Sequence, residues 1–141
     1  MIRLFLDVNV ILDYSLKRPE CYKNSKIILQ YIIEGRYRGV VSPVVIHIAS
    51  HILKKHLGSE KTKIIILALL NDVRVIETPH EVIEQVMNSD WNDIEDAIQY
   101  YTALYHKVDF IISRDSGMIK KAMPSLPVIH PLDFLNTENL I

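Results

Sequence analysis

Acidic residues end two apolar runs of this chain and open an amphipathic stretch between them. Ile2-Arg3-Leu4-Phe5-Leu6-Asp7-Val8-Asn9 stands at the start and Phe110-Ile111-Ile112-Ser113-Arg114-Asp115 near the end, with Asp93-Ile94-Glu95-Asp96-Ala97 between them. Short apolar runs of this kind suit buried parallel strands. The carboxyl ends of such strands are where α/β proteins place ligand sites. Carboxylates gathered at one sheet edge repel each other unless a cation lies among them, and hard divalent ions prefer oxygen ligands. Asp7, Asp96 and Asp115 are therefore read as the heart of a magnesium-type acidic pocket. Asn9 can steady the Asp7 carboxylate or a bound water, Ser113 can donate a hydroxyl beside it, and Asp93 and Glu95 stand close to Asp96.

Each acid also has a plainer reading. A strand-ending Asp can cap the next helix, and acids in a first helical turn complement the helix dipole. Taken singly these residues say little. Their convergence on one edge is what carries the argument.

The elements that must position them follow from pattern. Strands are expected over residues 1–6, 39–41, 73–76, 109–113 and 126–129. Helices are expected over 10–16, 21–34, 43–55 and 59–70, from Thr78-Pro79 onward, from Asp93 onward, and as a closing turn over 131–135. Ser42-Pro43 reads as a cap and first helical position. Thr78-Pro79-His80-Glu81, and Asn92 with Glu95, read as capping boxes. Along the acidic helix Ile94, Ala97, Ile98, Tyr101, Leu104 and Tyr105 form an apolar stripe, with Asp93, Asp96 and Tyr100 on the stripe beside it. Residues 64–70 are apolar on nearly every side, which predicts either deep burial or a subunit contact. The alternation implies a three-layer αβα fold around a central parallel sheet of four to five strands.

Composition narrows the classes. The chain has 141 residues, enough for one domain with a real core, so residues 1–141 are read as a single domain. A net charge of −1 gives no global nucleic-acid footprint, so such a ligand would need a local basic strip. Lys54, Lys55, His56, Lys61 and Lys63 supply one, and Arg114 adds a cation beside the acids. Cys21 is the only cysteine, which excludes an intramolecular disulfide. No apolar run approaches the length of a spanning helix, no secretory signal pattern opens the chain, and a cytoplasmic location is the expectation. His47 and His51 share a helix face, but Ile48 stands where a zinc peptidase needs Glu. Asn9 likewise stands where a dehalogenase-type phosphatase needs its second Asp.

The ordered motifs resemble the PIN-domain nucleases, a family that includes the VapC-type toxins of toxin–antitoxin pairs. Leu6-Asp7-Val8-Asn9-Val10-Ile11-Leu12-Asp13 is similar to that family's opening motif. Val40-Val41-Ser42-Pro43 is similar to its second strand and helix entry. Asp93-Ile94-Glu95-Asp96-Ala97-Ile98-Gln99-Tyr100 and Ile112-Ser113-Arg114-Asp115 are similar to its later acidic segments. The resemblance implies a metal-dependent endoribonuclease with Mg²⁺ or Mn²⁺ held by Asp7, Asp96 and Asp115. Asn9, Ser113, Asp93 and Glu95 would support them, and Lys54, Lys55 and Arg114 would contact substrate. It further implies an RNA substrate and a small antitoxin partner, and a homodimer fits the apolar helix. One position departs from the family pattern: Ile48 stands where a further acid is usual. An alternative is therefore a weakly active or inactive PIN-like module that binds RNA or protein.

Overall fold

The computed structural model describes residues 1–138; the last residues of the expected single domain, 139–141, lie outside it. In chain order the elements are β1 (Arg3–Leu6), α1 (Val8–Ser15), α2 (Tyr22–Ile33), β2 (Arg38–Val41), α3 (Pro43–Leu57), α4 (Ser59–Leu70) and β3 (Val73–Val75). They continue as α5 (His80–Met87), α6 (Ile94–Tyr105), β4 (Phe110–Ile112), α7 (Ser116–Lys121), β5 (Val128–Ile129) and α8 (Pro131–Glu138). The five strands pair in parallel in the order β3-β2-β1-β4-β5 with helices on both faces, as the alternation predicts.

The strand order fixes where a site can form. From β1 the chain works outward to β2 and β3, then returns to the other side of β1 for β4 and β5. The crossovers on the two sides leave a crevice between the carboxyl ends of β1 and β4, the switch point at which open α/β sheets bind ligands. Leu6 pairs with Ile112 in that register, so Asp7 and Ser113 follow side by side. The Asp7 amide extends the ladder by one bond, to the Ile112 carbonyl at 3.0 Å.

Burial holds this geometry in place. Leu4, Phe5, Leu6, Val41, Ile111 and Ile112 are sealed from solvent, each side chain contributing about 1.5–3 kcal/mol of transfer free energy. Gly39 lets α2 approach β2: a Cβ there would stand 2.9 Å from the Ile32 side chain.

Two local expectations need correction. The buried face of α6 is turned from the expected stripe: Ala97, Tyr100 and Ala103 are buried, whereas Ile94 and Tyr105 are half exposed. Tyr100 and Ala103 join the main core, while Ala97, Ile98 and Tyr101 pack with Val82 and Val86 of α5 and with Trp91. Tyr100 anchors the helix, donating to the Leu126 carbonyl at 2.9 Å and accepting from the Met123 amide at 2.8 Å. Asp96 lies one turn before Tyr100 on this face, so the anchor also sets its position. Tyr100→Phe strands both partners and is expected to cost about 1–3 kcal/mol, measurable by urea unfolding.

Second, the capping boxes do not form as read. Asp93 caps α6 through the Asp96 amide at 3.0 Å, and the Thr78 hydroxyl bonds Thr102 instead of capping α5. Of the two outcomes expected for α4, deep burial is not found. Thr62 and Ile66 turn inward, but Ile64 and Leu67 are about two-thirds exposed, at 68% and 67%. Among the described residues no helix is long and apolar enough to cross a membrane.

Candidate active site

Asp7 follows the buried Leu4, Phe5 and Leu6 and caps α1, so its carboxylate is both fixed and enclosed, with 3% of its surface exposed. Its Oδ1 accepts from the Val8 amide at 2.7 Å. Its Oδ2 accepts from the Ser113 hydroxyl at 2.6 Å and from the Asn9 amide nitrogen at 3.1 Å. Asn9 also spans the switch point: its Oδ1 accepts from the Arg114 amide at 3.3 Å. The fully buried Ser113 in turn accepts from the Asp115 amide at 3.0 Å. One short network thus ties the end of β1 to the end of β4.

Asp115 caps α7, its Oδ1 accepting from the amides of Gly117 and Met118 at 2.8 and 3.2 Å. Asp96 reaches the same place from the first turn of α6. Its carboxyl is pushed up to about 8, first by burial, then by a hydrogen bond to Asp115 and by the charges of Asp115, Asp93 and Asp7. The Asp7 carboxyl is also raised: burial outweighs the bonds from Ser113, Val8 and Asn9, and the Asp115 charge adds to it. Asp96 thus lies against Asp115, and each of Asp96 and Asp7 lies within the field of the other acids. The capping roles are realised as well, and capping is how the fold brings helix starts bearing carboxylates to one edge.

No Lys or Arg among the described residues forms an ion pair with Asp7, Asp96 or Asp115. Arg114 stands between Ser113 and Asp115 in sequence, yet its guanidinium turns to Asp13 of α1: Nε at 2.6 Å from Oδ2 and Nη2 at 3.0 Å from Oδ1. Asp13 is entirely buried, and Arg18 makes a looser contact to it at 3.4 Å. Arg114 is raised above its ordinary value chiefly by this bond, and the Asp7 charge contributes further down the order.

The chemistry of these side chains suits a hard divalent ion: the acids offer only oxygens, and none of the three is ion-paired with a Lys or Arg among the described residues. Among the described residues, however, no three His, Cys, Asp or Glu side chains stand in ready ligand spacing. The oxygens of Asp7 are turned to local donors, and burial with the neighbouring acids pushes the Asp96 carboxyl towards its neutral form. Carboxylates packed together without a cation relieve their repulsion in this way.

The remaining sequence expectations are distributed differently. Asp93 contributes its charge beside Asp96, whereas Glu95 and His47 are exposed and Ile48 is half-buried on α3. Lys54 and Lys55 are exposed in the last turn of α3, about 18 Å along the helix axis from the Ser42 cap. A cleft of about 930 Å³ lies beside β2 and β3, lined by Arg3, Arg38, Arg74 and His106 together with Asp72 and Glu77, and none of Asp7, Asp96 and Asp115 lines it. The residue missed from the sequence is Asp13. Its signal was weak: an acid directly following the buried Val10, Ile11 and Leu12.

A family model described as the PIN domain matches residues 3–117. No curated protein sequence matches the chain. Among solved structures, the VapBC2 complex of Rickettsia felis bound to a DNA fragment from its promoter matches at TM-score 0.65 and 15% identity. That match covers 92% of this chain and 98% of the other. VapC20 of Mycobacterium tuberculosis, a sarcin-ricin loop cleaving toxin, matches at TM-score 0.68 and 12% identity, covering 86% and 97%. A toxin–antitoxin complex from Klebsiella pneumoniae matches at TM-score 0.68 and 19% identity, covering 91% and 97%. At these identities the structural likeness is one of fold. The family model, however, spans most of the chain and includes Asp7, Asp96 and Asp115, so this protein belongs to the PIN-domain family.

Proposed function

We propose that this protein is a metal-dependent endoribonuclease that hydrolyses RNA phosphodiester bonds, acting as the toxin of a toxin–antitoxin pair. The observation that carries the reading is the meeting of Asp7, Asp96 and Asp115 at the switch point without a cationic partner. Asp7, Asp96 and Asp115 would hold Mg²⁺ or Mn²⁺. When bound, such an ion polarises the scissile phosphate and lowers the pKa of a water. Asn9 and Ser113 hold the Asp7 carboxylate in one orientation, and Asp93 fixes the start of the helix that carries Asp96. A carboxylate of the set in its ionised form can accept a proton from the attacking water. Lys54 and Lys55 are the proposed phosphate contacts, and Arg114 can add only the donors that Asp13 leaves free.

The toxin reading draws on the matched VapC-type structures, two of which are complexes with an antitoxin partner or from such a pair. Its test is Mn²⁺-dependent cleavage of RNA by purified protein. In cells it is growth arrest relieved by the product of an adjacent gene; absence of both effects would end the proposal. The exposed Ile64, Leu67 and Leu70 of α4 support self-association. Light scattering is expected to give the mass of two chains and Leu67→Lys that of one; a monomeric wild type rejects this.

A second reading follows from Ile48, which cannot ligate anything: a PIN-like module that binds RNA or protein without cutting. Under it, Mn²⁺ gives the folded protein little added stability.

A further inference from the structure

Arg114 is the only arginine placed by sequence between two residues of the acidic site, and its guanidinium bonds elsewhere. Its amide is pinned to Asn9 and its neighbours are Ser113, bonded to Asp7, and Asp115. A flexible side chain rooted there stands within the field of Asp7, which attracts it. What restrains it is Asp13, with both carboxylate oxygens engaged at 2.6 and 3.0 Å on a residue with no exposed surface. Bidentate contact of this kind gives orientation as well as strength.

We propose that Asp13 is a positioning residue that restrains Arg114, keeping its guanidinium out of the acidic site so that a divalent cation can enter. A guanidinium swung onto Asp7, Asp96 and Asp115 would take the place of the cation, in both charge and hydrogen bonds. The second contact, from Arg18, makes such a swing physically accessible, because the buried Asp13 carboxylate keeps one cationic neighbour if Arg114 departs. The backbone turns sharply to supply that neighbour: Lys17 and Glu20 have φ of +49° and +73°, and the Arg18 amide bonds the Asp13 carbonyl at 3.0 Å. The alternative is that the pair merely staples α1 to the end of β4.

The inference rests on the acids being a cation site, and calorimetric titration of the metal-free protein with Mn²⁺ separates the two. If the wild type does not bind Mn²⁺, the proposed function and the restraint fall together. Given wild-type binding, Asp13→Asn is expected to raise the dissociation constant by on the order of tenfold or more. Arg114→Gln is expected to leave it unchanged or lower it, and Asp13→Asn with Arg114→Gln to return it to about the wild-type value. A structural staple predicts the opposite for the last two: both would weaken binding as Asp13→Asn does. Unchanged affinity in Asp13→Asn, or no recovery in the double variant, overturns the proposal. Should Asp13→Asn fail to fold, Arg114→Gln decides alone, weaker Mn²⁺ binding counting against the restraint.

Discussion

Asp7→Asn and Asp96→Asn are each expected to reduce Mn²⁺-dependent RNA cleavage by at least about a hundredfold, through removal of a charge rather than loss of fold. Asparagine keeps the size of the side chain, and at position 7 its carbonyl oxygen can still accept from the Val8 amide, as Asp7 Oδ1 does. It cannot hold a hard cation as a carboxylate does, nor accept a proton from water. Asp96→Asn has a second consequence in the presence of chelator. Its carboxyl lies against Asp115, Asp93 and Asp7, so removing the charge relieves repulsion. This variant should melt at a higher temperature than the wild type while losing activity. A residue kept for packing shows the reverse, with both quantities falling. Kinetics on a defined RNA, together with thermal melts in chelator, decide it. Cleavage within a few-fold of wild type by Asp96→Asn would remove the acids from the mechanism.

Much of this was legible in the chain, for identifiable reasons. β1 and β4 are short strands buried from their second residue onward, so Leu4–Leu6 and Ile111–Ile112 are apolar, and the acids that follow mark the sheet edge. α4 was bounded correctly at both ends because Gly58 and Asn71 flank it. α7 went unread: six residues with a Gly in the first turn carry no period, and the element exists because Asp115 caps it. The orientation of α6 was misread because apolar periodicity does not tell a residue facing the main core from one facing α5. The hydroxyl of Tyr100 settled the orientation through partners on the Met123–Leu126 segment, 23 and 26 residues away.

The acids were recognisable as a set because each follows its own local signal. The pairing of Asp13 with Arg114 has none: they are 101 residues apart, and it exists only once α1 and the end of β4 lie side by side. Ile48 shows a different limit. Its half-buried place on α3 says that a side chain fits there without saying whether the acids suffice in its absence. That question is one of cation affinity, and stability measurements answer it.

In chelator, the acidic site should make the protein less stable as pH rises, and a divalent ion should reverse the trend. Asp96 titrates near 3.8 when unfolded and at about 8 when folded, and Asp7 is displaced in the same direction. A carboxyl raised on folding costs nothing while it is protonated in both states, below about pH 3.8. The unfolded chain releases its proton first, so stability declines as pH climbs from there through about 8. Mn²⁺ competes with those protons, so its affinity grows over the same interval and its stabilisation is largest at the alkaline end. At a hundredfold excess over the dissociation constant, that stabilisation is about 2.7 kcal/mol. Other groups titrate here too, so the quantity to read is the difference between wild type and Asp96→Asn in thermal melts from pH 5 to 8.5. In chelator the wild type should fall progressively below the variant; with Mn²⁺ it should rise above it, most at pH 8.5. If Mn²⁺ leaves the wild-type curve unmoved at every pH, the cluster is a buried knot of protonated acids, and the non-catalytic reading that Ile48 invites becomes the correct one.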